Sequence, residues 1–164
     1  MLTRRGLVFV AALILLGAAA VPLVAFVIVP QFVRSTLIEE LPVAAVGSSG
    51  PGASTAAPVT LFSGELIRIS AADYGTGTIR IVRVGDAQVL RFENVDIAGA
   101  PDVYVYLSDR IDGTPGRFVD LGRLRATNGS FNYAIPDGTD LGNVRSVVLW
   151  CRAFSVTISY ATLR

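Results

Sequence analysis

From Gly6 to Val29 the chain runs for 24 positions without a charged residue, where about 20 apolar residues suffice to cross a hydrocarbon core. The pattern predicts a single transmembrane helix, flanked by Arg4 and Arg5, kinked at Pro22 and ended by Pro30. A cleaved signal peptide competes with this reading, because the start is charged and Ala18, Ala19 and Ala20 offer small residues for cleavage. The apolar run continues past them through Leu23, Phe26 and Val29, which favours a retained anchor. Two Arg before the span, against one Arg and two Glu after it, favour an N-terminus inside the cell. The expected location is therefore the cell membrane, single-pass, with the C-terminal domain extracytoplasmic.

Beyond the span the pattern changes twice. Phe32, Val33, Leu37, Ile38 and Leu41 are spaced so that the segment reads equally as a helix near the headgroups or as an irregular tether, and Gly47 to Pro58 is a small-residue stretch with the composition of a flexible linker. From Val59 onward short runs rich in Val, Ile, Phe and Tyr are punctuated by Gly, Asp, Asn and Pro, which is strand spacing. Strands are expected at Thr60 to Ile69, Thr78 to Val84, Gln88 to Phe92, Val103 to Leu107, Phe118 to Ala126, Phe131 to Ile135, and Ser146 to Leu163, the last divisible in two. Gly85-Asp86 and Asn128-Gly129 suit tight hairpin turns. The organisation is then an anchor at 1–30, a juxtamembrane segment and linker at 31–58, and a β domain at 59–164. The fold class is all-β, an antiparallel β-sandwich of about seven to eight strands preceded by one transmembrane helix.

Composition removes most catalytic chemistry. The chain of 164 residues has no His, one Cys, and 14 basic residues that are all Arg. Without imidazole there is no Ser-His-Asp triad, no Cys-His dyad and no HExxH zinc site. Without Lys there is no Schiff base and no Walker phosphate lysine. From Val59 onward 11 Arg balance 11 acids, which argues against a nucleic-acid partner. No conventional catalytic constellation remains, so enzymatic activity is left open.

The stretch Ser146 to Tyr160 holds the only Trp and the only Cys side by side. Run as one strand, it places Val148, Trp150, Phe154, Val156, Ile158 and Tyr160 on one face and Leu149, Cys151 and Ala153 on the other. Cys151 has three readings: a small apolar residue in a packed strand, a redox or cofactor-ligating thiolate, or an intermolecular disulfide. Arg152 alternates away from it. Tyr104, Tyr106, Tyr133 and Trp150 read as strand packing first, and as electron relays or stacking surfaces second. The acids of Asp109 to Gly113 and Pro136 to Asp140 shape turns and lack the spacing of a calcium loop. GTGTIR at Gly75 lacks the third Gly of a dinucleotide fingerprint. Asn128-Gly129-Ser130 fits the glycosylation pattern, with a turn as the alternative.

Several segments together carry a family resemblance: FSGEL at Phe62 to Leu66, LRFENVDIAGAPDVYVYLS at Leu90 to Ser108, LGRL at Leu121 to Leu124, GSFNYAIPDGTDL at Gly129 to Leu141, and SVVLWCRAF at Ser146 to Phe154. From about Leu61 onward the chain resembles the DM-thirteen domain, an electron-transfer domain family. The resemblance implies a β-sandwich and a redox role for the cysteine matched by Cys151, as a bare thiol or as the ligand of a prosthetic group. Any haem would be non-covalent, since no CxxCH attachment exists; the cofactor is otherwise unassigned. Two functions follow as expectations. The first is a membrane-anchored extracytoplasmic domain in redox or electron transfer, centred on Cys151 and meeting a redox partner. The alternative is a non-enzymatic cell-envelope interaction module that binds a protein or glycan.

Overall fold

The computed structural model describes residues 34–42 and 57–164, with isolated helical positions at 14, 16–18 and 21. Most of the expected anchor, and the expected linker up to residue 56, lie outside the described residues. Among the described residues no helix is long and apolar enough to cross a membrane.

Among the described residues nine strands form two sheets: β1 (Thr36–Ile38), β2 (Val59–Glu65), β3 (Gly75–Val84), β4 (Ala87–Ile97), β5 (Val103–Ser108), β6 (Phe118–Arg123), β7 (Asn128–Ala134), β8 (Ser146–Cys151) and β9 (Val156–Thr162). The first sheet has the order β1-β7-β4-β3-β2 and the second β6-β5-β8-β9. Every pairing is antiparallel except β1 with β7. The two-layer all-β architecture matches the sequence pattern, and the reason is alternation. Val103, Val105 and Leu107 of β5 and Val147, Leu149 and Cys151 of β8 turn inward, to meet Ile79 and Ile81 of β3 and Leu90 and Phe92 of β4 in one apolar core. Phe92 stacks on Phe131 of β7 with ring centroids 4.9 Å apart, fixing the middle of the first sheet.

One side of the sandwich is sewn shut. Ser63 and Arg164 exchange backbone hydrogen bonds at 3.0 and 2.9 Å, and the Ile67 N–H donates to the Tyr160 carbonyl at 2.9 Å, so the chain of β2 and the residues after it run along β9. Gly64 sits at this seam, where a Cβ would collide with the Thr162 carbonyl.

Ser146 to Leu163 takes the divided form: the chain turns at Arg152 to Ser155, with Ser155 at φ +54°, and returns as β9. Three other expectations are corrected, the first being the face of Ile158. A register shift opposite Leu149 and Trp150 then sends Ile158 into the core, leaving Tyr160 on the outer face opposite Val148. Asn128-Gly129 is not a hairpin turn but the start of β7, whereas Gly85-Asp86 does join β3 to β4. The segment after the apolar run is not helical at Thr36–Ile38, where it adds β1 to the edge of the first sheet. Gly129 explains both of the last corrections. It holds φ +107°, and a Cβ there would strike the Leu37 carbonyl, so the Gly that looked like a turn residue is the gap through which β1 passes.

β1 is held by polar contacts from residues far away in sequence. Arg34 donates to Asp96 at 2.7 Å and to the Tyr74 hydroxyl at 2.7 Å. The Glu39 carboxylate takes the Asn132 N–H at 2.9 Å and the Arg125 guanidinium at 2.7 and 2.9 Å. Arg91 caps the Glu39 carbonyl at 2.6 Å.

Candidate functional site

The strand β8 lies in the middle of the second sheet, between β5 and β9, and divides the two most conspicuous residues of the chain. Cys151 faces inward, with no exposed surface, and shares the core with Leu66, Ile97 and Ala98. Trp150, half-buried, faces outward opposite Tyr104 of β5 and Thr157 of β9. The alternation expected for Trp150 and Cys151 is therefore what the fold contains, and the indole does not cover the thiol.

The outer face of the second sheet carries an ordered cluster around Arg152. Its backbone N–H donates to the Asp102 carbonyl at 2.9 Å, which anchors the start of the β8–β9 turn. Its guanidinium lies 3.4 Å from the centroid of the Tyr104 ring, donates through Nε to the Tyr106 hydroxyl at 2.6 Å, and pairs with Asp120. The Tyr106 hydroxyl bond first, then Asp120, hold the Arg152 guanidinium above its ordinary pKa. Arg123, paired with Asp102 and lying 5.8 Å from the Tyr104 ring, is likewise raised, chiefly by the Tyr104 hydroxyl and then by Asp102. Tyr106 is nearly buried, stacked on Phe118 at 4.1 Å, whereas Tyr104 keeps an exposed part. Two aromatic rings, two guanidinium groups and two carboxylates thus share one sheet face beside the indole. The carboxylates Asp102 and Asp120 offset the two cations, so the face is polar and near neutral. Sequence reasoning set Arg152 aside because it points away from Cys151. The signal that finds the cluster is the pairing of β5 with β8, which puts Tyr104, Tyr106, Trp150 and Arg152 on one surface.

A family model described as Electron transfer DM13 matches residues 68–163, more than half of the chain. The chain belongs to the electron transfer DM13 family. A comparison with curated proteins finds no match, and neither does one with solved structures. The matched region of this DM13 domain runs from the loop after β2 through β9, so it contains Cys151, Trp150 and the whole Arg152 cluster, whereas β1 and β2 precede it.

The prosthetic group that the family resemblance raises for Cys151 does not fit this DM13 domain. A cofactor site is a concavity of some 300–1,000 Å³ with polar groups aimed into it. Cys151 has no exposed surface and packs in a continuous apolar core. Surface clefts lie elsewhere. One of about 560 Å³ runs past Ile67, Arg68, Ile69, Trp150, Val156 and Tyr160, and one of about 270 Å³ past Leu107, Asp109, Phe118 and Val144; neither is lined by Cys151. The thiol is bare.

The remaining candidates resolve into packing and turns. Tyr133 is a core residue of β7, 5.6 Å from Phe92, and not part of the outer cluster. Its hydroxyl accepts the Arg125 N–H at 2.8 Å and donates to the Arg123 carbonyl at 2.9 Å, and burial pushes the phenol up to about 12. The Asp109 carboxylate takes the Arg117 backbone and guanidinium at 3.0 and 3.1 Å. Asp112 closes the same loop through Arg110 and Thr114, and Asp140 caps the short 3-10 turn Leu141–Asn143. The turn-shaping role expected for these acids is the one they have, and among the described residues no group of three or more metal-ligating side chains converges. Gly75 opens β3, and Gly77 at φ +101° lets that strand pass the Asn94 carbonyl.

Proposed function

We propose that this protein is a membrane-anchored, extracytoplasmic electron-transfer domain, with Cys151 as its redox-active side chain and the Tyr104, Tyr106, Trp150 and Arg152 face as the surface that meets its redox partner. Membership of the electron transfer DM13 family is the observation that carries this reading. The anchor rests on the uncharged run from Gly6 to Val29. Burial decides how such a role operates. A thiol with no exposed surface is closed to bulky thiols and disulfides, so thiol–disulfide exchange does not take place; the thiol is the reduced form, and its redox step is loss of one electron through packed protein to a one-electron oxidant on the partner, with the S–H proton released to solvent. Trp150, one residue away and open to the surface, is the side chain through which the electron passes.

Voltammetry of the full chain in lipid vesicles tests the proposal. The expected result is a redox wave that disappears in Cys151→Ala and shrinks in Trp150→Phe. A wave that survives Cys151→Ala moves the redox centre away from the thiol. No wave at all favours the second reading, an envelope interaction module for a protein or glycan partner, which draws on the same burial of Cys151 and on the half-buried Tyr104 and Trp150 beside Arg152.

A further inference from the structure

The strands share a common end. β1 begins opposite Asn128 of β7, Asp96 of β4 pairs with Asn128, and Gly75 of β3 pairs with Ile97. In the other sheet, Val103 of β5 pairs with Cys151 of β8, which pairs with Val156 of β9. The start of β1, the loop from Leu66 to Tyr74 and the β8–β9 turn therefore lie at one end of the sandwich.

That end has the chemistry of a lipid interface. Phe154 and Ile69 leave 45% and 48% of their surface exposed, and Ile67 and Val156 leave 39% and 41%. Beside them Tyr74 stands between two guanidinium groups, with Arg34 on its hydroxyl at 2.7 Å and Arg68 over its ring at 4.4 Å. Aromatic rings with a polar tip and long cationic side chains are the residues that settle at headgroup level. The acids at this end are engaged: Asp96 pairs with Arg34, Asp102 with Arg123 and Asp112, in the cleft with Ile67 and Val156, with Arg110, and Asp73 takes the Ser70 hydroxyl at 3.2 Å.

Chain length supplies the second argument. The apolar run ends at Pro30, and Arg34, already fixed to Asp96 and Tyr74, is four residues further on. Four residues span at most about 14 Å even when fully extended, and the headgroup layer on each side of a bilayer is about 5–7 Å thick. A sandwich held at Arg34 therefore keeps that residue within about 9 Å of the headgroup surface. The small-residue stretch from Gly47 to Pro58 does not separate the apolar run from the sandwich, because β1 docks before it.

We propose that this end of the sandwich, comprising Arg34, the Leu66 to Tyr74 loop and the Arg152 to Ser155 turn, rests on the phospholipid surface, with Phe154, Ile67, Ile69 and Val156 in the headgroup–acyl boundary. The inference rests on the anchored reading above and adds an orientation to it. Trp150, lining the cleft between Ile67 and Val156, then lies beside the membrane and not at the distal tip.

The only Trp in the chain reports on the arrangement directly. The full chain is reconstituted into phosphatidylcholine vesicles with and without lipids that carry a nitroxide on the headgroup, and Trp emission is measured. The expected result is a loss of at least half the emission in the labelled vesicles. Combining Phe154→Ser with Ile69→Ser, both at exposed positions, is expected to cut that quenching at least two-fold without changing thermal unfolding. Full emission from chain that floats with the labelled vesicles overturns the orientation and leaves the anchor standing. Chain that does not float with vesicles overturns the anchor, and the orientation with it.

Discussion

Cys151 and Trp150 are adjacent in the chain and separated by the thickness of a sheet, and the consequence for the thiol is chemical. With no exposed surface, Cys151 should remain unmodified by a thiol reagent under native conditions and react fully once the chain is unfolded; rapid native modification would show the core opening at the β8–β9 end. Replacing the sulfur with a hydroxyl puts a polar group into an apolar core at a position with no exposed surface. Cys151→Ser is accordingly expected to cost about 1–3 kcal/mol in chemical denaturation. Tyr133 makes a second residue-scale prediction, because its folded phenol is pushed up to about 12 from 10.0 by burial. A raised pKa favours the protonated form in the folded state, so the contribution is complete below pH 10.0 and is lost as pH rises through about 12. Thermal melts between those values should show a steeper alkaline loss for the native chain than for Tyr133→Phe. That variant in turn gives up about 1 kcal/mol at neutral pH by leaving the Arg125 N–H without its acceptor.

At the scale of elements, β1 is the feature that the residue pattern conceals. Three residues are too few to show alternation, and Asn128-Gly129, the strongest short hairpin signal in the chain, pointed to a turn. What fixes β1 is tertiary: Asp96, Arg125 and Asn132 lie far along the chain from Arg34 and Glu39, and no local window contains both sides. By contrast β5 and the first half of the closing segment were legible, because Val-Tyr-Val-Tyr-Leu and Val-Val-Leu-Trp-Cys alternate between a core and an outer face. The aromatic cluster on Arg152 was half legible: alternation gave each side chain its face, but strand pairing was needed to bring Tyr104 and Arg152 together. β1 can be released from either side of its docking. Gly129→Val places a branched side chain at φ +107° against Leu37, and hydrogen exchange should show the amides of Glu39 and Asn128 losing protection while those of β4 keep theirs. Acid should reach the same state. The Glu39 carboxyl is held below 4.5, first by the Asn132 N–H and then by Arg125, so its contribution is present above pH 4.5 and lost as pH falls through the lowered value. The Glu39 amide is expected to exchange first on acidification, before the sheets open.

For the molecule as a whole, β1 bears on where the folded unit starts. Composition places the boundary at Val59, after the small-residue stretch, yet the edge of the first sheet is completed by a strand that precedes that stretch. A fragment of residues 59–164 leaves β7 as an open edge, with its backbone groups unpaired and Gly129 and Ser130 free to accept another strand. It also strands Arg125 and Arg91 without Glu39, and Asp96 without Arg34. A fragment of residues 34–164 retains all of these contacts, and the seam between β2 and β9 closes the opposite side in both. The longer fragment is therefore expected to be monomeric and to melt several degrees higher, since a loss of about 1 kcal/mol shifts the midpoint of a domain this size by roughly 4 °C. The shorter one should self-associate as its concentration rises, through β7 pairing with a second copy. Size-exclusion chromatography and thermal melts of the two fragments decide the point. Equal melting temperatures and two monomers would mean that β1 is held by the sandwich without supporting it, and its docking would then serve only to position the domain.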